Sequence, residues 1–180
     1  MKSIVINFYG GSGLGKSTLA AALYAKMKMN GDHTELVREY IKKWAWKDLK
    51  PGKYDQIYIL GKQINAESDL YEKVDYIITD SPILIAPFFE QYLLGVNIIK
   101  NTALDFMKYA EDNGVHYLHF WLERPENFDS RGRYETKEEA IKIDLAMERW
   151  LTEVGVKLIK LPVDHEERIS LILNELTNLK

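Results

Sequence analysis

The sequence predicts an α/β fold, a five-stranded parallel sheet flanked by helices, on three observations. Five short apolar runs rich in β-formers alternate with segments of helical spacing along the chain. The first run ends in a glycine cluster that leads straight into a helix. The central run, residues 74–79 (VDYIIT), is apolar on both faces, as suits a strand buried inside a parallel sheet.

Each element follows from its local pattern. Ser3–Tyr9 (SIVINFY) is the first strand. Lys16–Met29 places Leu19, Ala20, Leu23, Ala25 and Met27 at helical spacings and stops at Asn30-Gly31. Residues 34–38 (TELVR) form the second strand, and 39–47 a short helix that Lys50-Pro51-Gly52 breaks. A long helix over 54–72 precedes the third strand, 74–79. Helices over 82–94 and 102–113 follow, the second closing at Asn113-Gly114. Residues 115–122 are the fourth strand, 124–135 an irregular charged stretch, 136–154 a helix and 156–161 the fifth strand. A helix over 165–179 closes the chain, with Asp164 as its N-cap. No fixed-period repeat and no low-complexity linker interrupts this order, so 1–180 reads as a single domain.

Composition sets the outer limits. The 180 residues suit one domain of about 100–200 residues. With 46% hydrophobic residues, 11 Tyr, 6 Phe and 4 Trp, disorder is excluded. The absence of cysteine excludes a disulfide framework, a thiolate nucleophile and a zinc–cysteine site. A net charge of −3 argues against a generally basic nucleic-acid coat, though not against a local basic patch. No export signal opens the chain and no run of about 18 apolar residues occurs, so a cytoplasmic protein without a membrane span is expected.

The glycine cluster carries the chemistry. Gly10-Gly11-Ser12-Gly13-Leu14-Gly15-Lys16-Ser17 fits G-x-x-x-x-G-K-[ST], is followed by Thr18, and has a strand before it and a helix after it. Glycines let the backbone wrap an anion closely, and the helix start adds its positive dipole end. Residues 11–18 are therefore expected to hold ATP phosphates, with Lys16 on the β- and γ-phosphates and Ser17 on Mg²⁺. Asp80 ends the third strand at the position that supports the Mg²⁺ shell, beside Ser17 at the carboxyl ends of the strands. Its other reading is an N-cap ahead of Ser81-Pro82.

Three features favour a phosphotransferase over a switch or a motor. No Asn-Lys-x-Asp base-reading element is present, and 180 residues leave no room for a motor's second helical domain. Residues 124–135 carry Arg124, Arg131 and Arg133 with Gly132 between two arginines, which suits a lid closing on a transferring phosphoryl group while excluding water. A solvated loop with its arginines on Glu123, Glu126 or Asp129 is the alternative.

The acceptor side follows the second strand. Glu39 could point at the γ-phosphate and take the proton of an attacking hydroxyl, and Arg38 could bind acceptor or phosphate. Six lysines (42, 43, 47, 50, 53, 62) face Asp48 and Asp55 between Tyr40 and Lys62, a local balance of +4 interleaved with Trp44, Trp46, Tyr54 and Tyr58. Aromatic faces among cations suit base stacking and phosphate contact. Trp44 and Trp46 cannot both face one side of a helix, so one is expected in the core. Gln56 and Gln63, seven apart, share a helix face and could read a base edge. Adenine is expected near Pro162 and Asp164, after the last strand.

The segments GGSGLGKST, LVREYIKKWAW, YDQIYILGKQ, VDYIITDSP and NFDSRGRYETKEEA resemble the P-loop kinases of the nucleoside and nucleotide kinase superfamily. More narrowly, the chain resembles small phage-encoded AAA-type ATP-binding proteins. Glu39, Trp44 and Gln63 are similar in order and spacing to deoxynucleoside kinases, which implies a base role for Glu39 and base reading by Gln63. Asp80-Ser81-Pro82 departs from that family, where arginine follows the acid. NFDSRGR is similar to nicotinamide-riboside-type kinases. A phage origin would imply the host cytoplasm and, as one acceptor, a hydroxymethylated pyrimidine in DNA, as for hydroxymethyluracil-DNA kinases. The expected function is ATP- and Mg²⁺-dependent transfer to a nucleoside- or nucleotide-like acceptor, by a monomer or dimer. Its rival is an ATP-binding regulatory or assembly module.

Overall fold

Parallel strands need a crossover between them, and helices supply it here. The computed structural model describes residues 3–125 and 136–179. Its strands are β1 (Ser3–Tyr9), β2 (Thr34–Val37), β3 (Tyr76–Thr79), β4 (Val115–Leu122) and β5 (Leu158–Leu161). All pair in parallel, in the order β2-β3-β1-β4-β5. The helices are α1 (Lys16–Met29), α2 (Lys42–Ala45), α3 (Gln56–Ser68), α4 (Ile85–Leu94), α5 (Lys100–Asp112), α6 (Lys137–Glu153) and α7 (His165–Asn178).

Strand alternation divides the core into two layers. Ile4, Ile6 and Phe8 of β1 face Leu19, Leu23 and Met27 of α1 and Ile169, Ile172 and Leu176 of α7. Val5 and Tyr9 face the opposite way, with Ile77, Tyr117 and Trp121, against α3, α4, α5 and α6. The chain therefore leaves β1 by α1 on one face of the sheet, and leaves β3 by α4 and α5 on the other. That divergence opens a crevice at the carboxyl ends of the adjacent strands β1 and β3, the usual ligand position in open α/β sheets.

Element ends differ from the sequence reading where a side-chain carboxylate captures a backbone amide. The expected helix over 39–47 shrinks to Lys42–Ala45, because the Asp80 carboxylate captures the Glu39 amide at 3.0 Å. The long helix starts only at Gln56, since the Asp55 carboxylate accepts the Gly52 amide at 2.6 Å and closes a turn. Thr136 and Asp164 cap α6 and α7, Thr136 through a reciprocal capping box with Glu139.

An acid lies in the apolar stripe of α3. Glu67 is fully buried, with the Tyr71 hydroxyl donating to Oε1 at 2.6 Å and the Tyr117 hydroxyl 2.7 Å beyond that. Its Oε2 has no hydrogen-bond partner among the described residues. Burial pushes the carboxyl up to about 7 against the opposing tyrosine hydrogen bonds. The folded state thus holds this proton where the unfolded chain releases it. The stability tied to it is complete below the ordinary carboxyl range and is lost as pH rises toward 7. That loss amounts to roughly 3 kcal/mol at most. In urea denaturation across pH 4–8, Glu67→Gln is expected to remove this descending component relative to the unmodified protein. Parallel curves for the two proteins would refute a neutral buried Glu67.

Candidate active site

The loop between β1 and α1 is held from inside and outside. Leu14 buries its side chain beneath the loop, while Gly15, at φ 81°, turns the chain into α1. The Lys16 ammonium folds over the loop and donates to the Gly10 and Gly11 carbonyls at 2.6 and 2.7 Å. Burial lowers its pKa, opposed by the negative charge of Glu39, Asp80 and Asp144 and reinforced by Arg124. No acid stands in the first turn of α1, so the positive end of the helix faces the loop unopposed by its own side chains. Ser17 is half-buried, with Lys42 Nζ 3.5 Å from its hydroxyl, whereas Thr18 is exposed.

Asp80 follows β3 and is buried beside the loop. It does not cap a helix, because α4 begins only at Ile85. Its Oδ1 accepts the Glu39 backbone amide instead, which sets the chain after β2 against the chain after β3. Glu39 is half-buried, and its carboxyl is raised by burial, lowered by Lys16, raised by Asp80 and lowered by Lys42. Lys16, Ser17, Glu39 and Asp80 thus meet at the carboxyl ends of β1, β2 and β3.

Two residues invisible to motif reading complete the surroundings. Arg124 joins the loop to α6. Its Nε donates to Asp144 Oδ2 of α6 at 2.6 Å and its Nη2 to the Ser12 carbonyl at 3.0 Å. Asp144 Oδ1 accepts the Gly11 amide at 2.6 Å. A β-carbon at Gly11 would lie 2.5 Å from that oxygen, so the close approach requires glycine. Arg168 of α7 is buried and donates to the carbonyls of Leu14 and Glu123, each at 2.9 Å, and of Pro162. The signal in both cases is a charge within an apolar helical stripe: Asp144 among Ala140, Ile143 and Met147, and Arg168 among Ile169, Ile172 and Leu176.

The remaining expected positions divide. Asp164 spends its carboxylate capping α7, where it accepts the Glu167 amide at 2.9 Å. Arg38 is exposed. Gln63 is buried and donates to Thr79 Oγ1 at 3.3 Å, and Gln56 is buried on the same face of α3. Neither tryptophan enters the core. Trp44 is half-buried against Tyr40 and Tyr58, and Trp46 is 85% exposed, because α2 is too short to press a second face onto the sheet. Of the lysines, Lys42 turns to Ser17, while Lys43, Lys62 and Lys53 lie over Tyr40, Tyr58 and Tyr54. Arg131, Arg133 and nearly all of the expected lid lie outside the described residues.

A family model described as an AAA domain matches residues 5–168, from the first strand to Arg168. The chain belongs to that family. Comparison with curated proteins gives no match. Among solved structures, the AAA domain is similar to deoxyadenosine kinase from M. mycoides with products dCMP and a flexible dCDP bound. The TM-score is 0.62 at 21% identity, covering 97% of this chain and 99% of that one. The same kinase with bound dATP gives 0.61 at 20% identity, over 96% and 98%. A variant of the APS kinase of Mycobacterium tuberculosis gives 0.56 at 16% identity, over 98% of each chain. The AAA domain therefore has the P-loop kinase fold. Among the described residues, no helix is long and apolar enough to cross a membrane.

Proposed function

We propose that this AAA domain is an ATP- and Mg²⁺-dependent kinase that transfers the γ-phosphoryl group to a nucleoside- or nucleotide-like acceptor. The observation that carries this reading is the half-buried carboxyl of Glu39 within electrostatic reach of Lys16, with its backbone fixed by Asp80. A phosphate site alone serves hydrolysis as well as transfer. A base set opposite the phosphate-binding lysine supplies the acceptor half of a transfer.

In this reading Lys16 leaves its loop carbonyls for the phosphates of ATP, which return the charge interaction that burial withdraws. The acceptor oxygen forms a bond to the γ-phosphorus as the bond to the bridging oxygen of ADP breaks, and Glu39 takes the acceptor's proton. The residues present fit Mg²⁺, since the Ser17 hydroxyl and Asp80 carboxylate are hard oxygen donors. Bound there, Mg²⁺ would neutralise charge on the phosphates. Lys42 would then give up its 3.5 Å contact with Ser17. Arg131 and Arg133 remain candidates for the same charge neutralisation on sequence grounds.

Radiolabelled ATP offered with free deoxynucleosides, deoxynucleotides and DNA carrying hydroxymethylated pyrimidines is expected to label one acceptor class. Label released only as inorganic phosphate, at one slow rate whatever the acceptor, would favour a regulatory ATPase module and overturn the kinase reading. A DNA-borne acceptor is a second reading, favoured by the exposed Trp46 and Tyr54 among the lysines after Glu39. It requires salt-sensitive DNA retention that weakens when Lys43 and Lys47 are replaced.

A further inference from the structure

We propose that Asp144 is a positioning residue of the phosphate site: it fixes the first turn of the loop and neutralises, through Arg124, its own charge beside the phosphates. This rests on the reading that the loop holds ATP. The carboxylate bridges two targets, the Gly11 amide through Oδ1 and the Arg124 Nε through Oδ2, both at 2.6 Å. The same guanidinium reaches the Ser12 carbonyl at 3.0 Å. Lys16 holds the Gly10 and Gly11 carbonyls from the other side. Three successive loop residues are thus fixed by three ionised side chains.

The arrangement differs from a stabilising surface ion pair. Side-chain exposure is 12% for Arg124 and 13% for Asp144, so the pair is largely withdrawn from water and each charge depends on the other. Backbone packing reinforces it, since the Ala140 carbonyl, one turn earlier on α6, approaches to 3.5 Å from where a β-carbon of Gly11 would stand. The loop path through Gly13 and Gly15 therefore starts from a peptide whose orientation α6 determines. A carboxylate this near an anion site repels the anion unless cations cover it, and Arg124 covers this one at 2.6 Å.

That asymmetry yields a test that simple loosening of the fold would not pass. ATP and adenosine dissociation constants are measured by calorimetry for the unmodified protein, Asp144→Ala, Arg124→Ala and the double variant. Asp144→Ala, which releases the Gly11 amide, is expected to weaken ATP binding several-fold, and Arg124→Ala, which leaves the carboxylate without its guanidinium, by roughly 10–100-fold. The double variant is expected to recover several-fold of that loss, and adenosine affinity is expected to stay constant throughout. Additive losses in the double variant, or equal losses for ATP and adenosine, would overturn the proposal. If the alanine variants do not fold, Asp144→Asn and Arg124→Gln pose the same comparison with the volumes kept. Failure of the unmodified protein to bind ATP would refute the phosphate-site reading itself. Binding without transfer to any acceptor would refute only the kinase reading.

Discussion

Glu39→Gln is expected to lower kcat for phosphoryl transfer by about 10²–10⁴-fold while leaving ATP affinity within a factor of about two. The amide keeps the shape of the side chain, and the backbone amide that Asp80 holds at 3.0 Å is untouched, so the crevice should remain intact. What is lost is the ability to take a proton. Burial raises the Glu39 carboxyl and Asp80 adds to the rise, while Lys16 and Lys42 work against it. A base must be ionised, so the transfer rate of the unmodified protein should climb as pH rises through this raised value and then level. That acidic limb should be missing from the residual activity of Glu39→Gln. A near-normal rate in the variant, or an unchanged acidic limb, would remove Glu39 from the mechanism and leave the acceptor's proton to water or to the phosphate itself.

The fold was legible because its signals are local and redundant. β1, α1 and β4 have the predicted bounds, as each is a long uniform pattern and a glycine or asparagine ends the first two and precedes the third. The largest helix error fell where a distant side chain overrides local preference. Asp80, some forty residues away, ends the extended chain after β2 and cuts the predicted helix to one turn. The convergence of the candidate site at the carboxyl ends of the strands was legible only where a motif points to it, in the loop and at Asp80. Arg124 was singled out, but its partner lies on a helix twenty residues on, and no spacing rule joins the two. Asp144, Arg168 and Glu67 shared one overlooked sign, a charged residue in a stripe that packing wants apolar. Such a residue is rarely buried without a partner of its own.

Arg168→Met is expected to destabilise the protein by about 3–5 kcal/mol and to weaken ATP binding in the fraction that folds. Methionine keeps much of the apolar stem but offers no donor. Three carbonyls then lose their partner at once: Leu14 in the loop between β1 and α1, Glu123 after β4 and Pro162 after β5. These belong to three separate connections at one end of the sheet, so the guanidinium replaces the backbone pairing that a continuous ladder would have provided. Burial lowers the pKa of the arginine, opposed by Glu123 and Asp164, and the planar fork of donors makes the position tolerable to a cation. Lysine cannot span three carbonyls from one ammonium, so Arg168→Lys should recover less than half of the loss. His165, one turn earlier on α7, lies against Gly15, so any shift of α7 reaches the loop directly. Urea denaturation gives the stability arm, with the exposed Arg149→Met as a control expected within about 0.5 kcal/mol of the unmodified protein. An Arg168→Met protein as stable as that control would mean that the three loops hold their arrangement without the arginine, and that the carbonyls find other donors.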